Sequence, residues 1–456
     1  MALTSATVAA ARVARELRVR GPTLSRDLRG SLGMSPATFS RTIARMRGEL
    51  LSVGATRSLT YALRRPATGL PQEIPLYEIG PRASRLFATL HPVEPGFYVE
   101  SAFPVQGFYS DLPWFLGDLR PAGFLGRLAP RQHPDLGLPT DIQNWSADHA
   151  LRWLHEWGVD TVGSFVIGDP AFGRLAGHES PTVLEGDRDR QYPRMGDDVM
   201  VFGVPGSSAA GEQPKFLAAK VAPTRTTRVL VKFSPRVVDL STRRTADLLR
   251  CEHHALSTLR AAGISAACSE IVQADGRVFL EVERFDRTPN GRIGLVSLLS
   301  VAAEAGTDIH NWAAAADQLV AAEVIRNEDR ERIYWLDRFG EMIGNSDRHA
   351  GNVSFFFIDG RVGEVAPVYD MLPMRYAIRA GEFVTPVLTV PSPTPRFAEG
   401  WRQTWNAAMA FWDLVARDQE IHPELRQAAG ANLANLRERM GLLDRLPAGA
   451  QLQLFS

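Results

Sequence analysis

Residues 342–355 read MIGNSDRHAGNVSF, and an apolar run, a turn and a second run ending at Asp370 follow them. This pattern predicts an amphipathic helix, a polar loop and a two-stranded hairpin, in that order. The polar loop holds Asp347 and Asn352, and the hairpin brings Asp370 back beside them. Three oxygen-bearing side chains are therefore expected at one end of the hairpin.

These three side chains are of the kinds that phosphoryl transfer requires. A carboxylate at Asp347 can orient a hydroxyl nucleophile, while the oxygens of Asn352 and Asp370 can hold Mg²⁺ against the phosphates of ATP. The Asp-x4-Asn spacing also occurs in the catalytic loop of protein kinases, where Asp is the base and Asn a metal ligand. A polar loop with an Asx turn beside a capped hairpin is the structural alternative, and this stretch alone favours neither.

The composition bounds the class of protein. A length of 456 residues predicts two or three domains, the 45% hydrophobic content is ample for a core, and the 22% charged content is ordinary. Two cysteines without a CxxC motif argue against a disulfide scaffold and fit a reducing compartment. No apolar run approaches the roughly 18 residues of a membrane span, and no secretory signal is seen at the N-terminus. We therefore expect a cytoplasmic protein without a membrane span.

The charge is unevenly distributed along the chain. The formal net charge is zero, but residues 1–65 hold twelve Arg and no Lys against Glu16, Asp27 and Glu49, a net charge of +9. A basic head on a mildly acidic body indicates nucleic acid as a partner of the head only.

The basic head has the element order of a winged helix-turn-helix. Residues 5–20, 24–32 and 35–47 read as helices, and two β-rich runs follow them. The third helix would enter the major groove of DNA, with Arg57 at the wing tip near phosphate or the minor groove. Its predicted exposed face consists of Thr38, Ser40, Arg41, Thr42 and Arg45. A winged-helix module used for protein contact is the alternative.

The middle of the chain gives weaker signals. Residues 66–75 read as a linker, residues 76–135 as a small mixed β subdomain, and residues 173–199 as an exposed polar loop. A Gly/Ser-rich loop follows, in which the backbone at Ser207, Ser208 and Gly211 could approach phosphate. The Lys-Ser/Thr pair of a Walker A loop is missing there, which excludes that motif.

A lysine and a glutamate occupy positions that patterning predicts to be buried. Residues 229–233 alternate as a strand, and Lys232 stands on one face of it in a β-branched run. Glu252 lies on the apolar stripe of a helix predicted over 243–262. A buried Lys and a buried Glu are each costly alone and tolerable as a pair, and protein kinases hold ATP phosphates with such a pair. The alternatives are a structural ion pair, or two side chains that snorkel to opposite surfaces.

Taken in order, these motifs resemble the HipA family of serine/threonine kinase toxins, in particular its branch with an N-terminal DNA-binding domain. The resemblance covers about residues 76–440. It rests on Ser208-x2-Gly211-x-Gln213-x-Lys215, Val231-Lys232, Glu252, Val282-Glu283-Arg284-Phe285-Asp286-Arg287, Gly344-Asn345-Ser346-Asp347-Arg348-His349-Ala350-Gly351-Asn352 and Tyr369-Asp370-Met371-Leu372.

The resemblance implies roles for the acidic residues and the lysine. Lys232 would hold the phosphates of ATP with help from Glu252. Asp347 would be the catalytic base, and Asn352 and Asp370 would bind Mg²⁺. These roles belong to a Mg²⁺/ATP-dependent protein kinase.

The resemblance also implies roles around the nucleotide. Glu283 and Phe285 would bracket adenine through their backbone, because residues 279–287 form a strand where a kinase joins its two lobes. Ser208 matches the family's autophosphorylated serine, in the same loop as Ser207 and Gly211. His349 matches a family histidine that we take to organise the loop at the nucleotide site.

The expected fold class is α+β, a winged helix-turn-helix followed by a bilobal kinase-like HipA fold with a mixed β N-lobe and a mainly helical C-lobe. The expected domains are residues 1–65 (DNA binding), 76–285 (N-terminal subdomain and N-lobe) and 286–456 (C-lobe).

The chain departs from the family pattern in two respects. Many relatives have Lys immediately before the catalytic-loop Asn, where this chain has Gly351. Relatives in operons bind DNA through a separate antitoxin, whereas here the helix-turn-helix is expected to be fused. The resemblance implies a protein substrate, such as an aminoacyl-tRNA synthetase, and an antitoxin or a homodimer as partner.

Two further hypotheses belong to other classes. One is a transcription regulator whose kinase-like body only senses nucleotide. The other is a metal-dependent nuclease that uses the basic head together with the oxygens of Asp347, Asn352 and Asp370.

Overall fold

A computed structural model describes residues 5–177, 180–202, 213–378, 386, 388–393 and 398–441. The chain divides into two compact units. The first comprises Met1–Arg120, Leu136–His178 and Asp359–Arg361, and the second Pro121–Asp135, Glu179–Ile358 and Val362–Ser456. The predicted three-domain division remains a prediction.

The described helices are α1 (Ser5–Arg20), α2 (Ser25–Leu32), α3 (Pro36–Arg45), α4 (Gly123–Gln132), α5 (Ala147–Trp157), α6 (Asp169–Arg174), α7 (Arg188–Phe202), α8 (Leu240–Ala261), α9 (Leu298–Glu304), α10 (Trp312–Ala321), α11 (Asn327–Met342), α12 (Ala398–Arg417) and α13 (Pro423–Arg439). The described strands are β1 (Thr23–Leu24), β2 (Leu50–Val53), β3 (Thr60–Leu63), β4 (Ile74–Ile79), β5 (Ser84–Pro92), β6 (Phe97–Ser101), β7 (Gly107–Tyr109), β8 (Phe165–Ile167), β9 (Thr182–Leu184), β10 (Lys215–Val221), β11 (Thr226–Phe233), β12 (Ser269–Ala274), β13 (Arg277–Glu283), β14 (Arg287–Thr288), β15 (Gly291–Arg292), β16 (Leu295–Ser297), β17 (Ser354–Ile358) and β18 (Arg361–Val365). No helix of these described residues is long and apolar enough to cross a membrane.

The first unit begins with three helices and a three-stranded sheet of order β1-β3-β2. Helix α3 starts where its sequence predicts, because Ser35 Oγ accepts a hydrogen bond from the Thr38 backbone N–H at 3.3 Å and Pro36 occupies the first helical position. The helices and the hairpin share one apolar core, formed by Val13, Leu17, Leu28, Leu32, Phe39, Met46, Leu50, Tyr61 and Leu63.

The prediction for the exposed face of α3 was wrong at Thr42. This side chain is only 5% exposed, and its Oγ1 donates to the Thr38 carbonyl at 2.8 Å. Thr42 follows Phe39 by three positions and therefore lies on the core side of the helix. A threonine reads as polar in a pattern, but its methyl group and its backbone hydrogen bond allow burial.

The remainder of the first unit is a five-stranded antiparallel sheet of order β7-β6-β5-β4-β8, with α5 and α6. Helix α5 begins after Ser146, whose side chain accepts from the His149 backbone N–H at 3.3 Å. The Ser146 backbone N–H donates in turn to His149 Nδ1 at 3.2 Å, which makes the cap reciprocal.

The second unit is built around a five-stranded sheet of order β12-β13-β11-β10-β9. All neighbouring pairs are antiparallel except β9 and β10. One face of the sheet buries Val231, Phe233 and Phe279 against Tyr192 of α7. The other face buries Leu280 and Val282 against Ala246 and Leu249 of α8. Helix α4, helices α9 to α13 and the sheets β14-β15 and β16-β17-β18 complete the described part of this unit.

The prediction of an exposed loop over residues 173–199 was wrong, because the structure has β9 and most of α7 there. Tyr192 is fully buried, and Met195 and Val199 pack beside it at helical spacing. Many charges and Pro193 hide this stripe in the sequence. By contrast, the helix predicted over 243–262 is observed as α8, within a few residues at each end. The amphipathic helix predicted before the polar loop is observed as α11.

Candidate active site

A buried charged cluster lies against one face of the sheet in the second unit. Lys232 on β11 is 5% exposed, and Glu252 on α8 is 1% exposed. Lys232 Nζ donates to Glu252 Oε1 and Oε2, both at 2.8 Å. The same ammonium contacts Oδ1 of Asp370, which lies just beyond the hairpin of β17 and β18. The two side chains that patterning predicted to be buried thus form an ion pair, and Asp370 joins it.

The charges of the cluster stabilise one another. Burial lowers the pKa of Lys232, but the Asp370 and Glu252 carboxylates outweigh that effect and raise it overall. Burial raises the pKa of Glu252, and the Lys232 charge only partly opposes this. Burial also acts to raise the pKa of Asp370, yet Lys232 and Lys215 together hold it below its usual value. The cluster therefore contains a lysine held in its charged form.

The backbone of Asp370 is strained. Its φ is 54°, in the left-handed region that few residues other than glycine adopt. Such strain persists only where surrounding contacts determine it, and it occurs often at functional sites. The contact with Lys232 is one such determinant.

The loop after α11 presents Asp347 and Asn352 through internal hydrogen bonds. The Asp347 backbone N–H donates to Asn345 Oδ1 at 2.9 Å, and Asn352 Nδ2 donates to the Asp347 carbonyl at 3.1 Å. Arg348 Nε donates to Asp337 Oδ1 at 2.9 Å. Because the nitrogen of the Asn352 amide is used inside the loop, its Oδ1 is the atom that a metal ion would contact.

His349 also organises this loop. Its Nδ1 accepts from the Gly351 backbone N–H at 3.1 Å, and its carbonyl accepts from Trp312 Nε1 at 3.0 Å. Tyr369 Oη donates to the Gly351 carbonyl at 2.8 Å, which ties the loop to the residue before Asp370. Sequence reasoning missed Trp312 and Tyr369. Tyr369 belongs to the motif Tyr369-Asp370-Met371-Leu372, and its position next to Asp370 was the signal that could have identified it.

Lys215 is a further residue without a predicted role. It pairs directly with Lys232 across β10 and β11. Its charge helps to lower the pKa of Asp370, with a smaller effect than burial, which raises that pKa, and than Lys232, which lowers it. Its position one strand away from Lys232 could be seen only once the register was known.

The strand that ends at Glu283 leads to Phe285, which lies near Tyr369, the neighbour of Asp370. The Glu283 backbone N–H donates to the Cys268 carbonyl at 2.8 Å, and the Glu283 carboxylate contacts Arg225. The ring of Phe285 lies 6.0 Å from that of Tyr369, measured between centroids. With the Glu283 N–H engaged, the Glu283 carbonyl and the Phe285 N–H are the backbone groups through which adenine could be held.

The donor set fits a magnesium ion better than a softer metal. The described part of the chain has no group of three or more His, Cys, Asp and Glu side chains arranged to hold a metal. Asp370 and Asn352 offer one carboxylate and one amide oxygen, and Mg²⁺ commonly uses one or two protein oxygens plus water and substrate phosphates.

The remaining predicted site residues belong to the Gly/Ser-rich loop and to the first unit. Ser207, Ser208 and Gly211 lie outside the described residues. Ser40, Arg41 and Arg45 on α3, and Arg57 between β2 and β3, are exposed in the first unit, while Thr38 is half-buried and shares a hydrogen bond with Ser35.

Comparisons with known proteins place the chain in a family. Residues 70–176 match the middle domain of YjjJ-like toxins, and residues 207–433 match the HipA-like C-terminal domain. The chain is 33% identical over 422 residues to toxin YjjJ of Escherichia coli (strain K12), covering 91% of this chain and 95% of that protein.

Among solved structures, the fold is similar to a chain from the Shewanella oneidensis MR-1 toxin-antitoxin complex of HipA, HipB and operator DNA. The TM-score is 0.52 at 16% identity, over 81% of this chain and 99% of that chain. The Helicobacter pylori proinflammatory kinase CtkA matches at a TM-score of 0.39 and 14% identity, over 54% of this chain and 95% of that one. The Shewanella likeness shows a HipA-like fold, and the identity and coverage shared with YjjJ show that this chain belongs to the HipA family of toxins.

Proposed function

We propose that this toxin is a Mg²⁺/ATP-dependent protein serine/threonine kinase that phosphorylates its own Ser208 and carries a fused DNA-binding head. The observation that supports the kinase most strongly is the buried contact of Lys232 with Glu252 and Asp370. A purely structural cluster has no need of a partner on a strained loop residue, whereas a nucleotide site needs a lysine and a metal-binding carboxylate side by side.

Each residue has a defined task in the proposed reaction. Lys232, held by Glu252, binds the phosphates of ATP, and Lys215 adds a second positive charge on the next strand. Asp347 accepts the proton of the serine hydroxyl as its oxygen bonds to the γ-phosphorus and the bond to ADP breaks. Asn352 and Asp370 hold Mg²⁺, which when bound neutralises charge on the phosphates.

The two lysines on β10 and β11 also bear on Gly351, where the chain departs from the family pattern. Relatives with a lysine at that position have an extra cation on the catalytic loop. In this chain Lys215 and Lys232 are adjacent in the sheet, so the site keeps two cations. We infer that the glycine does not leave the phosphates short of positive charge.

The nuclease hypothesis is less favoured. It gives no role to the buried pair of Lys232 and Glu252, which the kinase uses to hold the phosphates of ATP. The nucleotide-sensing regulator remains the main competitor, because it would use the same binding residues without transfer.

The kinase proposal is tested with purified protein, Mg²⁺ and γ-labelled ATP. We expect label on the chain itself, and phosphoserine at position 208 by mass spectrometry. Asp347→Asn should abolish labelling, while Asp308→Asn, an exposed aspartate of the same unit, should leave it unchanged. Nucleotide binding without label on the chain or on any protein of a cell extract would favour the regulator instead.

The DNA-binding proposal rests on the +9 charge of the head and on the exposed Arg41, Arg45 and Arg57. HipA of Shewanella is seen with HipB and operator DNA. In this chain the fused head would supply the DNA contact, for autoregulation, with an antitoxin or a second copy as a further partner. The kinase substrate would be another protein, with an aminoacyl-tRNA synthetase as the first to test.

The head is tested with a pool of random-sequence duplex DNA at several salt concentrations. Replacing Arg41, Arg45 and Arg57 together by Ala should weaken binding and reduce the salt slope by about one for each phosphate that the variant no longer neutralises. Arg18→Ala on α1 serves as the matched control. Equal affinity of the triple variant and wild type would contradict a DNA-binding role for α3 and the wing.

A further inference from the structure

A cavity lies in the second unit, on the side of α8 that faces away from Glu252. Its volume is about 550 Å³. Its walls are the first half of α8, the turn between β12 and β13, and the connector between α12 and α13 (residues 418–422). Arg250 lines the cavity, and Glu252 stands two residues further on, about 200° around the helix. The cavity is therefore separate from the proposed nucleotide site.

The connector is attached to α8 by polar contacts around the cavity. The His422 backbone N–H donates to Asp247 Oδ1 at 3.1 Å, and Arg250 lies 3.5 Å from the Glu420 carboxylate. Gln273 Nε2 of β12 also donates to Glu420, at 3.0 Å. The walls are thus held in place by the chain itself, and the cavity is preformed.

Two charged groups at the cavity lack a matching partner among the described residues. Asp247 is 4% exposed, and its Oδ2 has no hydrogen-bond donor. Arg243 is exposed and faces His422 Nε2 at 3.3 Å, with no described carboxylate within 4 Å of it. A buried carboxylate oxygen without a donor is costly, since the desolvation of the charge is left uncompensated.

The pKa of Asp247 agrees with the missing hydrogen-bond donor at Oδ2. Burial raises its pKa to about 6, and the hydrogen bond from His422 and the charges of Arg244 and Arg250 only partly oppose the rise. At neutral pH most of the population is still ionised. A cationic donor at Oδ2 would supply the missing hydrogen bond directly.

We propose that this cavity binds a small zwitterion of the α-amino-acid class, with its ammonium on Asp247 and its carboxylate on Arg243. Asp247 Oδ2 lacks a donor, the exposed Arg243 is available to an anion, and the two residues lie one helical turn apart on α8. The volume is sufficient for a free amino acid with a large side chain or for a dipeptide. Neither the family matches nor the proposed kinase reaction assigns a ligand to this place.

Occupancy would also stabilise α8. The ligand would bridge Asp247 and Arg243 on the helix that also carries the contacts to the connector. Glu252 belongs to the same helix, so a bound amino acid would favour the position in which Glu252 meets Lys232. This consequence is measurable without any kinase activity.

The test is calorimetric titration of the full chain, without nucleotide, against each of the twenty free amino acids. We expect saturable binding of at least one. Its N-acetyl derivative, which lacks the ammonium, and its amide, which lacks the carboxylate, should each bind about ten-fold more weakly or worse. If none of the twenty binds, the inference is wrong, whatever the outcome for the kinase.

Variants locate the site. Asp247→Asn and Arg243→Met should each weaken binding about ten-fold or more, and Ala246→Leu should block the cavity by volume. Asp413→Asn on α12, outside the cavity, should leave the affinity unchanged. Asp247→Asn removes a buried charge but also the countercharge of the buried Arg244, so chemical denaturation checks that the variant is folded before its affinity is compared. Ligand binding should slow hydrogen exchange along α8 in wild type and in Asp413→Asn, but not in the variants that lose binding. Unchanged affinity in Asp247→Asn and Arg243→Met, or equal slowing in those variants, would overturn the assignment.

Discussion

The sheet of the second unit buries charge on both of its faces, and the two clusters differ. On the α7 face, Glu281 is 3% exposed and accepts from Tyr192 Oη at 2.6 Å, with Lys220 at 2.5 Å and Arg188 at 3.2 Å. On the α8 face, Lys232 meets Glu252 and Asp370. The first cluster draws its partners from the sheet and from the helix over it, since Arg188 and Tyr192 belong to α7 and Lys220 to β10.

The second cluster draws one partner, Asp370, from beyond the hairpin, with a left-handed backbone and a side chain that is 33% exposed. Solvent, and hence a ligand, can reach that carboxylate. A buried charge alone therefore does not identify a site. An accessible, strained partner does so more reliably, and on that basis we propose that the α8 face binds nucleotide and that the cluster on the α7 face is structural.

The largest expected effect separates the two roles of Lys232. Lys232→Met should cost about 3–5 kcal/mol of stability, because it leaves Glu252 buried and unpaired. The double variant Lys232→Met with Glu252→Met should regain most of that stability, since a buried pair can be replaced by apolar groups of similar volume. Chemical denaturation measures both, and autophosphorylation should be absent in both.

A double variant that regained activity along with stability would show that the pair is only structural. If the double variant regained neither stability nor activity, the ion pair would stabilise the protein more than buried ion pairs usually do.

The second prediction concerns the α7 face. Glu281→Gln should lower stability by about 1–3 kcal/mol, because Tyr192 loses a charged acceptor while Arg188 and Lys220 keep Glu270 at 2.6 and 3.4 Å. Autophosphorylation, measured at a temperature where the variant is folded, should stay near the wild-type rate. A loss of activity as complete as that of Lys232→Met would remove the distinction between the two faces.

The smallest expected effect is at Tyr369. Tyr369→Phe removes the hydrogen bonds to the Gly351 carbonyl and to Ser354, at 2.8 and 2.7 Å, and should cost about 1 kcal/mol of stability. The turnover rate should fall several-fold with little change in the KM for ATP, because the loop of Asp347 and Asn352 is loosened while Lys232 is intact. A change in KM alone would place Tyr369 at the nucleotide rather than in loop positioning.

Local patterns predicted much of this unit. The alternation over residues 229–233 placed Lys232 on the face opposite Val231 and Phe233, as observed, and the helical stripe placed Glu252 in the interior. Both follow from short-range periodicity, which depends only on neighbouring residues. The hairpin after the Asp347 loop was predicted for the same reason.

Contacts between distant segments could not be predicted in this way. The pairing of Lys215 with Lys232 depends on strand register, and the bond from Trp312 to His349 depends on how α10 packs. Helix α7 was missed because its buried Tyr192 lies among charges, and Thr42 was misplaced because a polar side chain was assumed to face solvent. Composition indicates polarity, while burial is decided by tertiary contacts.

The central claim is that nucleotide binds at Lys232 and not on the opposite face of the sheet. The most direct measurement is calorimetric titration of Mg²⁺ and a non-hydrolysable ATP analogue into wild type, Glu281→Gln, and the double variant Lys232→Met with Glu252→Met. We expect equal affinity in the first two and loss of binding in the double variant, although all three are folded. Binding by the double variant at wild-type affinity would contradict the assignment.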